Sequence, residues 1–221
     1  WKLTVEYATD PQHDALLADV RFEAADDNEY ELYAVANTAL VNTGSQDRGI
    51  RLGQMGGYHL VARDAEAYDV GEAGEPLLID ENGDEYSVAV ALTSAGRFDW
   101  ATVGVAGSSH LASLFSEGEL PTPQERADNE NVVLIGRIGS GPDVNETLAL
   151  GFAENADTAA ALGEAAGALT RGYETVRAAY ADSWEEFLAD KSVPASVSDD
   201  DDPLARHTAA LISPRAAAAK P

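Results

Sequence analysis

The pattern of hydrophobic and polar positions over residues 2–152 is typical of β-strands. Residues 3–7 alternate with a period of two, as side chains on opposite faces of a strand do, and the other segments are runs of β-branched, aromatic and aliphatic residues. Turn-forming residues interrupt the pattern at Asp26-Asp27-Asn28, at Asn82-Gly83 and at residues 139–142. The runs between the turns predict strands over residues 3–7, 15–24, 30–36, 58–62, 86–92, 100–105, 132–138 and 147–152. Because no helical segment separates these strands, they predict a large antiparallel β-sandwich.

After Gly151 the hydrophobic period changes to that of helices. An alanine-rich segment over residues 157–169 predicts a helix in which Gly163 and Gly167 permit close packing. Its predicted apolar face consists of Ala159, Leu162, Ala166 and Leu169. A second helix is predicted from an apolar stripe made of Tyr173, Val176, Tyr180, Trp184, Phe187 and Leu188. The predicted fold is therefore mainly β, a sandwich that ends in a C-terminal helical hairpin.

The helical pattern gives way to a polar segment, which suggests a domain boundary. We predict a first domain over residues 1–190, an acidic linker over residues 191–203 and a helix-like stretch over residues 204–221. The last stretch has nothing within the chain to pack against, so we expect the chain to be the front part of a larger protein. The long connections at residues 37–57 and 114–131 are expected to be loops that contact another domain.

Composition excludes several kinds of site. A chain of 221 residues can bury a sizeable core, but no apolar run reaches the roughly 18 residues of a membrane span. The absence of cysteine excludes disulfides, thiolate catalysis and cysteine-based zinc sites. The chain begins with Trp1, so we expect that any leader peptide has been removed. The compartment stays open, with secretion slightly favoured.

The charge balance is strongly acidic. Asp and Glu number 39 against 14 Lys and Arg, which gives a net charge of −25, and only Lys2, Lys191 and Lys220 are lysines. Such a charge repels nucleic acid and anionic membranes, so neither is an expected partner. One interpretation is an ordinary acidic secreted domain. The favoured interpretation, from the few lysines and many alanines, is a protein adapted to molar salt, whose fold depends on screening.

Candidate chemistry is scarce. The nearest approach to a nucleophilic motif is Gly107-Ser108-Ser109-His110, but adjacent side chains on a strand point apart. The four histidines, His13, His59, His110 and His207, lack the i, i+4 spacing of a metal site. Residues 136–141 resemble a phosphate loop only in their glycine count, and residues 80–85 have calcium-loop spacing without the twelfth-position Glu. We therefore assign no catalytic, cofactor-binding or metal-ligating residue.

Carbohydrate chemistry is harder to judge from sequence. An inverting glycosidase needs two carboxylates about 6.5–9.5 Å apart, and sequence spacing among 39 acids does not show such a pair. Trp1, Trp100 and Trp184 are candidates for stacking on sugar rings, although Trp184 fits better in the core. Asn145-Glu146-Thr147 is a glycosylation sequon.

Several segments, in order, resemble a known family. Residues 10–17 (DPQHDALL), 98–109 (FDWATVGVAGSS), 129–136 (NENVVLIG) and 147–153 (TLALGFA), with the two helices, match successive parts of one domain. The chain thereby resembles, over about residues 3–190, the N-terminal domain of bacterial and archaeal glucoamylases and glucodextranases of glycoside hydrolase family 15. It departs from the family at Ser109-His110-Leu111, where the family has Asp-Gly-Trp.

The resemblance implies a super-β-sandwich that precedes an (α/α)6 barrel. In the family the barrel carries the two catalytic glutamates and releases glucose from non-reducing ends of α-glucans with inversion. Residues 204–221 resemble the first helix of that barrel, with Ser213-Pro214-Arg215 and an alanine run in place of the family's residues. The implied partner is therefore a catalytic barrel of the same protein, with α-glucan as a further candidate ligand. No catalytic residue is implied within this chain.

Two other functions fit the sequence. One is a stand-alone carbohydrate-binding module, and the other is a structural or adhesion sandwich of a salt-loving organism. A sandwich fold alone does not distinguish them from an accessory domain.

Overall fold

The computed structural model describes residues 1–26, 28–40, 46–54, 56–64 and 87–189. Strands in these ranges are β1 (Lys2–Thr9), β2 (Ala15–Glu23), β3 (Tyr30–Asn37), β4 (Asp47–Gln54), β5 (Gly57–Asp64), β6 (Val88–Ser94), β7 (Ala101–Val105), β8 (Arg126–Glu130), β9 (Val132–Gly141) and β10 (Asp143–Glu154). The helices are α1 (Ser109–Glu117), α2 (Thr158–Arg171) and α3 (Tyr173–Ala189). The paired strands are antiparallel, which confirms the predicted fold class.

The strands form two sheets that pack face to face. Sheet A has seven strands in the order β1-β2-β10-β6-β5-β4-β8, and sheet B has three in the order β3-β9-β7. Between them lies a core in which Leu60 and Leu92 of sheet A meet Val103 and Leu134 of sheet B. These side chains are 0–1% exposed. Removing this apolar face from water is the main stabilising contribution to the sandwich.

A helix covers part of the outer face of each sheet. On sheet A, Ala161 of α2 packs with Val61 and Ala91. On sheet B, Leu111 of α1 packs with Ile135. Where the helices lie over the sandwich, the layers are therefore α2, sheet A, sheet B and α1.

The face that α2 buries differs from the predicted one. Ala161, Ala165 and Ala168 are fully buried, whereas Ala159 and Ala166 are exposed and Leu162 and Leu169 are half-buried. The prediction placed the largest apolar side chains against the sheet and was wrong, because α2 lies too close to β10 for them. At the nearest point, Gly151 of β10 has no side chain to separate the two backbones.

The two glycines of α2 have different surroundings. A Cβ atom at Gly167 would meet the ring of His13, which confirms that this glycine permits close packing. A Cβ atom at Gly163 would meet no atom within 4 Å, so the same prediction for Gly163 was wrong.

The C-terminal helices have defined ends. The side chain of Asp157 caps α2 by accepting hydrogen bonds from the backbone amides of Ala159 and Ala160, each at 3.0 Å. Gly172, with φ at +80°, separates α2 from α3. The chain divides into two compact units after Arg177, within α3. The predicted C-terminal helices are confirmed.

Two segments predicted to be loops contain regular structure. Residues 37–57 include β4, and residues 114–131 include the end of α1 and β8. The sequences of β4 (DRGIRLGQ) and β8 (RADNE) are rich in charged residues, and their alternation is limited to Ile50 and Leu52 of β4, which is too short to reveal a strand. The other strands were located correctly, although β9 and β10 extend further than predicted, to the break at Gly141.

Some predictions fall on residues outside the described ranges. These are the Asn82-Gly83 turn, the calcium-like spacing at residues 80–85, the linker at residues 191–203 and the stretch at residues 204–221. They stay predictions.

Candidate interaction surface

The histidines occupy separate environments. The Nδ1 atom of His13 lies 3.0 Å from a carboxylate oxygen of Glu164 on α2. His59 is buried in β5, where its Nδ1 atom lies 2.6 Å from the Thr93 hydroxyl, and burial lowers its pKa. His110 lies in α1, and His207 is outside the described residues. Within the described ranges, no three His, Cys, Asp or Glu residues are placed to hold a metal ion.

The other motifs have structural roles. Ser109 begins α1, so the Ser-Ser-His sequence is a strand-to-helix turn. Residues 136–141 lie within β9, and a Cβ atom at Gly136 would lie 2.5 Å from the Phe98 ring. This glycine therefore makes room for a core aromatic side chain, in a strand where a phosphate loop is not possible. Asn145 of the sequon is exposed on β10.

All three tryptophans lie beside another aromatic ring. Trp100 meets the ring of Tyr33 edge-on at 5.7 Å on the outer face of sheet B. Trp184 is half-buried and lies edge-on to Tyr180 and Phe187, at 6.2 and 5.6 Å. Trp1 stacks on Phe22 at 6.4 Å but is 74% exposed. Trp1 is thus the tryptophan most accessible to solvent.

One carboxylate pair comes close to the arrangement used in acid–base catalysis. Asp47 and Asp64 face each other in register on β4 and β5. The backbone amide of Leu40 donates a hydrogen bond to Asp47 at 3.3 Å, and Asp47 is fully buried. Burial, with a smaller contribution from the Asp64 charge, raises the pKa of Asp47 to about 6. A general acid must reach its substrate, and a fully buried carboxyl does not, so this pair is structural.

An apolar groove opens at one edge of the sandwich. Leu3, Val5 and Tyr7 of β1 lie opposite Phe22, Val20 and Ala18 of β2, on the inner face of sheet A. Both β1 and β3 are edge strands of their sheets, and a groove of about 300 Å³ opens between them. Sheet B is narrower than sheet A, so the described strands of sheet B do not cover this part of the inner face.

The groove continues into a cleft at the end of β10. The cleft has a volume of about 410 Å³ and shares Leu16 with the groove. The exposed residue Phe152 lines this cleft together with Asp14 and Glu154. At its inner end the carboxylate of Asp10 is buried and pairs with Arg171 of α2. We call the groove together with Phe152 the overhang.

The groove of the overhang is exposed and uncharged, whereas Asp14 and Glu154 line the cleft at its Phe152 end. Leu3, Tyr7, Val35 and Phe152 are 47, 63, 47 and 44% exposed, and they are four of the seven large hydrophobic side chains exposed in the described ranges. No described residue that lines the groove is a carboxylate or a basic residue. For a chain with a net charge of −25, an uncharged surface of this kind stands out. Contiguous apolar surface of this type marks sites of interaction with other molecules.

The sequence predicted the strands that form the overhang, but it did not predict that their apolar side chains are exposed to solvent. The alternation of Leu3, Val5 and Tyr7 shows that these residues share a face. Whether that face is covered depends on the number of strands in the opposite sheet, which is a non-local property. No local signal in the sequence would have revealed it.

Among the helices of the described residues, none is both long enough and apolar enough to cross a membrane.

The chain matches a known family over most of its length. A family model with the description "Glucodextranase, domain N" matches residues 1–189. This confirms the resemblance predicted for residues 3–190. No curated protein matches the chain by sequence.

A solved structure shares the fold. It is the crystal structure of a bacterial glucoamylase complexed with acarbose, with a TM-score of 0.63 and 16% sequence identity. The match covers 86% of this chain and 25% of that chain. At this identity the likeness establishes the fold alone, and it confirms the predicted sandwich. The chain spans about a quarter of the length of that glucoamylase.

Proposed function

Because the chain belongs to the glucodextranase domain N family, we propose that it is a non-catalytic N-terminal domain of a glucoamylase-like or glucodextranase-like α-glucan hydrolase. In this role the domain packs on and supports a catalytic (α/α)6 barrel that releases glucose from chain ends. The observation that carries the proposal is the family match over residues 1–189.

The geometry of the described residues supports a non-catalytic role. The carboxylate pair in which burial raises a pKa, Asp47 and Asp64, is shielded from substrate. The exposed feature that stands out is an apolar surface, which suits contact with protein more than acid–base chemistry.

Glucose release tests the proposal directly. We expect the pure 221-residue chain to release no glucose from maltooligosaccharides or starch, and the full-length protein that contains it to release glucose. Turnover by the pure chain would contradict a non-catalytic role. A full-length protein without hydrolase activity would contradict the assignment of the parent enzyme.

Calorimetry separates this function from that of a carbohydrate-binding module. We expect no heat when millimolar maltooligosaccharide is added to the pure chain, because the groove offers apolar side chains and few polar partners for sugar hydroxyls. Saturable heat would favour the binding module.

The acidic composition supports adaptation to molar salt as part of the same proposal. Several arginines of the described residues already pair with acids, among them Arg21, Arg48, Arg126 and Arg137. The remaining acids far outnumber the lysines, so they repel one another unless salt screens them. We expect the far-UV circular dichroism of the fold to be lost on dialysis from molar KCl to low millimolar salt. A melting temperature independent of salt would identify an ordinary acidic domain.

A further inference from the structure

We propose that the overhang is the surface on which the catalytic part of the parent hydrolase docks. This inference rests on the proposed function and adds the place of contact. It differs from the expectation that the connections at residues 37–57 and 114–131 make that contact.

The overhang has the properties of an interface that lacks its partner. Leu3 and Tyr7 lie on the same face of sheet A as Leu60 and Leu92, but about half or more of their surface is exposed to water. Burying apolar surface yields about 25 cal/mol per Å², so covering these side chains is favourable. A typical core of a protein interface is likewise a group of apolar and aromatic side chains without charges.

The shape of the overhang favours a protein over a small ligand. The groove runs along two edge strands, β1 and β3, and its floor is the face of a sheet. Edge strands also present backbone groups that a neighbouring chain segment can pair with. A small-molecule site would instead be a closed pocket with a few converging polar groups. In the groove, the described lining residues supply no such charged group.

The comparison with known structures identifies the kind of partner. The shared fold accounts for 25% of the matched glucoamylase chain, so three quarters of that protein lie outside it. In a parent hydrolase of this type, a large folded body is tethered to the domain, at a high effective concentration. Such a body is the partner most available to an apolar surface on the domain.

Charge disfavours a second copy of this chain as the partner. Each copy has a net charge of −25, and Asp14 and Glu154 line the same cleft as Phe152. A symmetric pair would bring these like charges together at the edge of the contact. The expected partner therefore has an apolar ridge that is flanked by neutral or basic side chains.

Site-specific photo-cross-linking in the full-length protein tests the proposal. The photoreactive aromatic residue p-benzoylphenylalanine replaces Tyr7 in one protein and Leu120 in the matched control. Leu120 is also an exposed hydrophobic residue, but it lies in the connection between α1 and β8, within residues 114–131. A third protein carries the probe at Phe152, in case the Tyr7 variant does not fold. Circular dichroism of each purified protein verifies folding.

We expect the probes at Tyr7 and Phe152 to cross-link to peptides from outside residues 1–203, and the probe at Leu120 to give only background. The proposal is overturned if the Tyr7 and Phe152 probes react only within residues 1–203, or less than the Leu120 probe does. Strong cross-linking from Leu120 alone would place the contact in residues 114–131. Cross-links between two copies of the chain would identify self-association and overturn the proposal too.

Glucose release by the same full-length protein separates the two proposals. If it hydrolyses maltooligosaccharides and the Tyr7 and Phe152 probes fail to reach the catalytic part, only the docking inference fails. If it has no hydrolase activity, the proposed function fails, whatever the cross-links show.

Discussion

Replacing Gly151 by alanine tests how closely α2 lies on sheet A. Gly151 lies in β10, paired with Ala91 of β6 and Ala15 of β2. A Cβ atom at this position would overlap the carbonyl oxygen of Ala161 and would lie 2.5 Å from the amide nitrogen of Ala165. Non-bonded heavy atoms prefer separations of about 3.5–4.0 Å, so α2 must move away by about 1 Å. These are backbone atoms, which cannot rotate aside as a side chain does.

The magnitude follows from the helix face that would be displaced. Ala161, Ala165 and Ala168 are all fully buried by α2 against the sheet. A gap of about 0.5–1 Å forfeits a quarter to a half of the contact energy of the atoms that line it. Overpacking of a core costs about 1–3 kcal/mol, and we expect Gly151→Ala to cost about 3 kcal/mol because the whole helix must shift.

Gly163→Ala is the matched control for this experiment. A Cβ atom at Gly163 meets no atom within 4 Å, so the same chemical change at this helical position adds no clash. We expect it to stabilise the fold by about 0.5–1 kcal/mol through helix propensity. Both variants are compared by urea unfolding in molar KCl, because urea leaves the ionic strength unchanged. If Gly151→Ala falls within about 0.5 kcal/mol of the unsubstituted chain, α2 does not lie this close to the sheet.

Three further substitutions test other parts of the fold. Asp157→Ala removes the cap of α2 and is expected to cost about 1 kcal/mol in urea unfolding, whereas Asp157→Asn, which still caps, should cost little. Phe98→Ala empties a fully buried position, and we expect a loss of about 3–5 kcal/mol, measured as a lower urea midpoint. The pKa of Asp47 is raised to about 6, so between about pH 4 and pH 6 the native state holds a proton that the unfolded state has released, and stability falls as pH rises. Asp47→Asn is expected to flatten this decline, and an unchanged slope would contradict the shift.

The strands of the core could be predicted because their pattern is local. In residues 88–92 of β6 and 132–135 of β9, Val, Ile, Leu and Ala fill every position, since both faces of these parts of the strands are covered. In β2 the inner residues Ala18 and Val20 alternate with the more polar Asp19 and Arg21. A period of two, bounded by turn residues, is enough to locate such strands.

The missed elements lack that local signal. β4 and β8 pair with each other at one side of sheet A, and their sequences are dominated by charged residues and glycine. These two strands are held in place by pairing with neighbouring strands of the sheet. A short window of sequence does not contain those partner strands. The face of α2 was mispredicted for a similar reason. Its contact residues were set by the close approach at Gly151, not by the size of its own side chains.

The apolar overhang and the acidic charge of the chain are connected through salt. The Debye length falls from about 10 Å at 0.1 M to about 3 Å at 1 M, so at molar salt Asp14 and Glu154 repel only like charges that come into contact with them, as in a symmetric pair. The same screening weakens any interface that depends on exposed ion pairs. Burial of Leu3 and Tyr7 against a partner needs no counter-charge, so it persists under the conditions that the acidic composition favours. In a protein with a net charge of −25, docking at molar salt can therefore depend on the apolar contact that the uncharged groove makes.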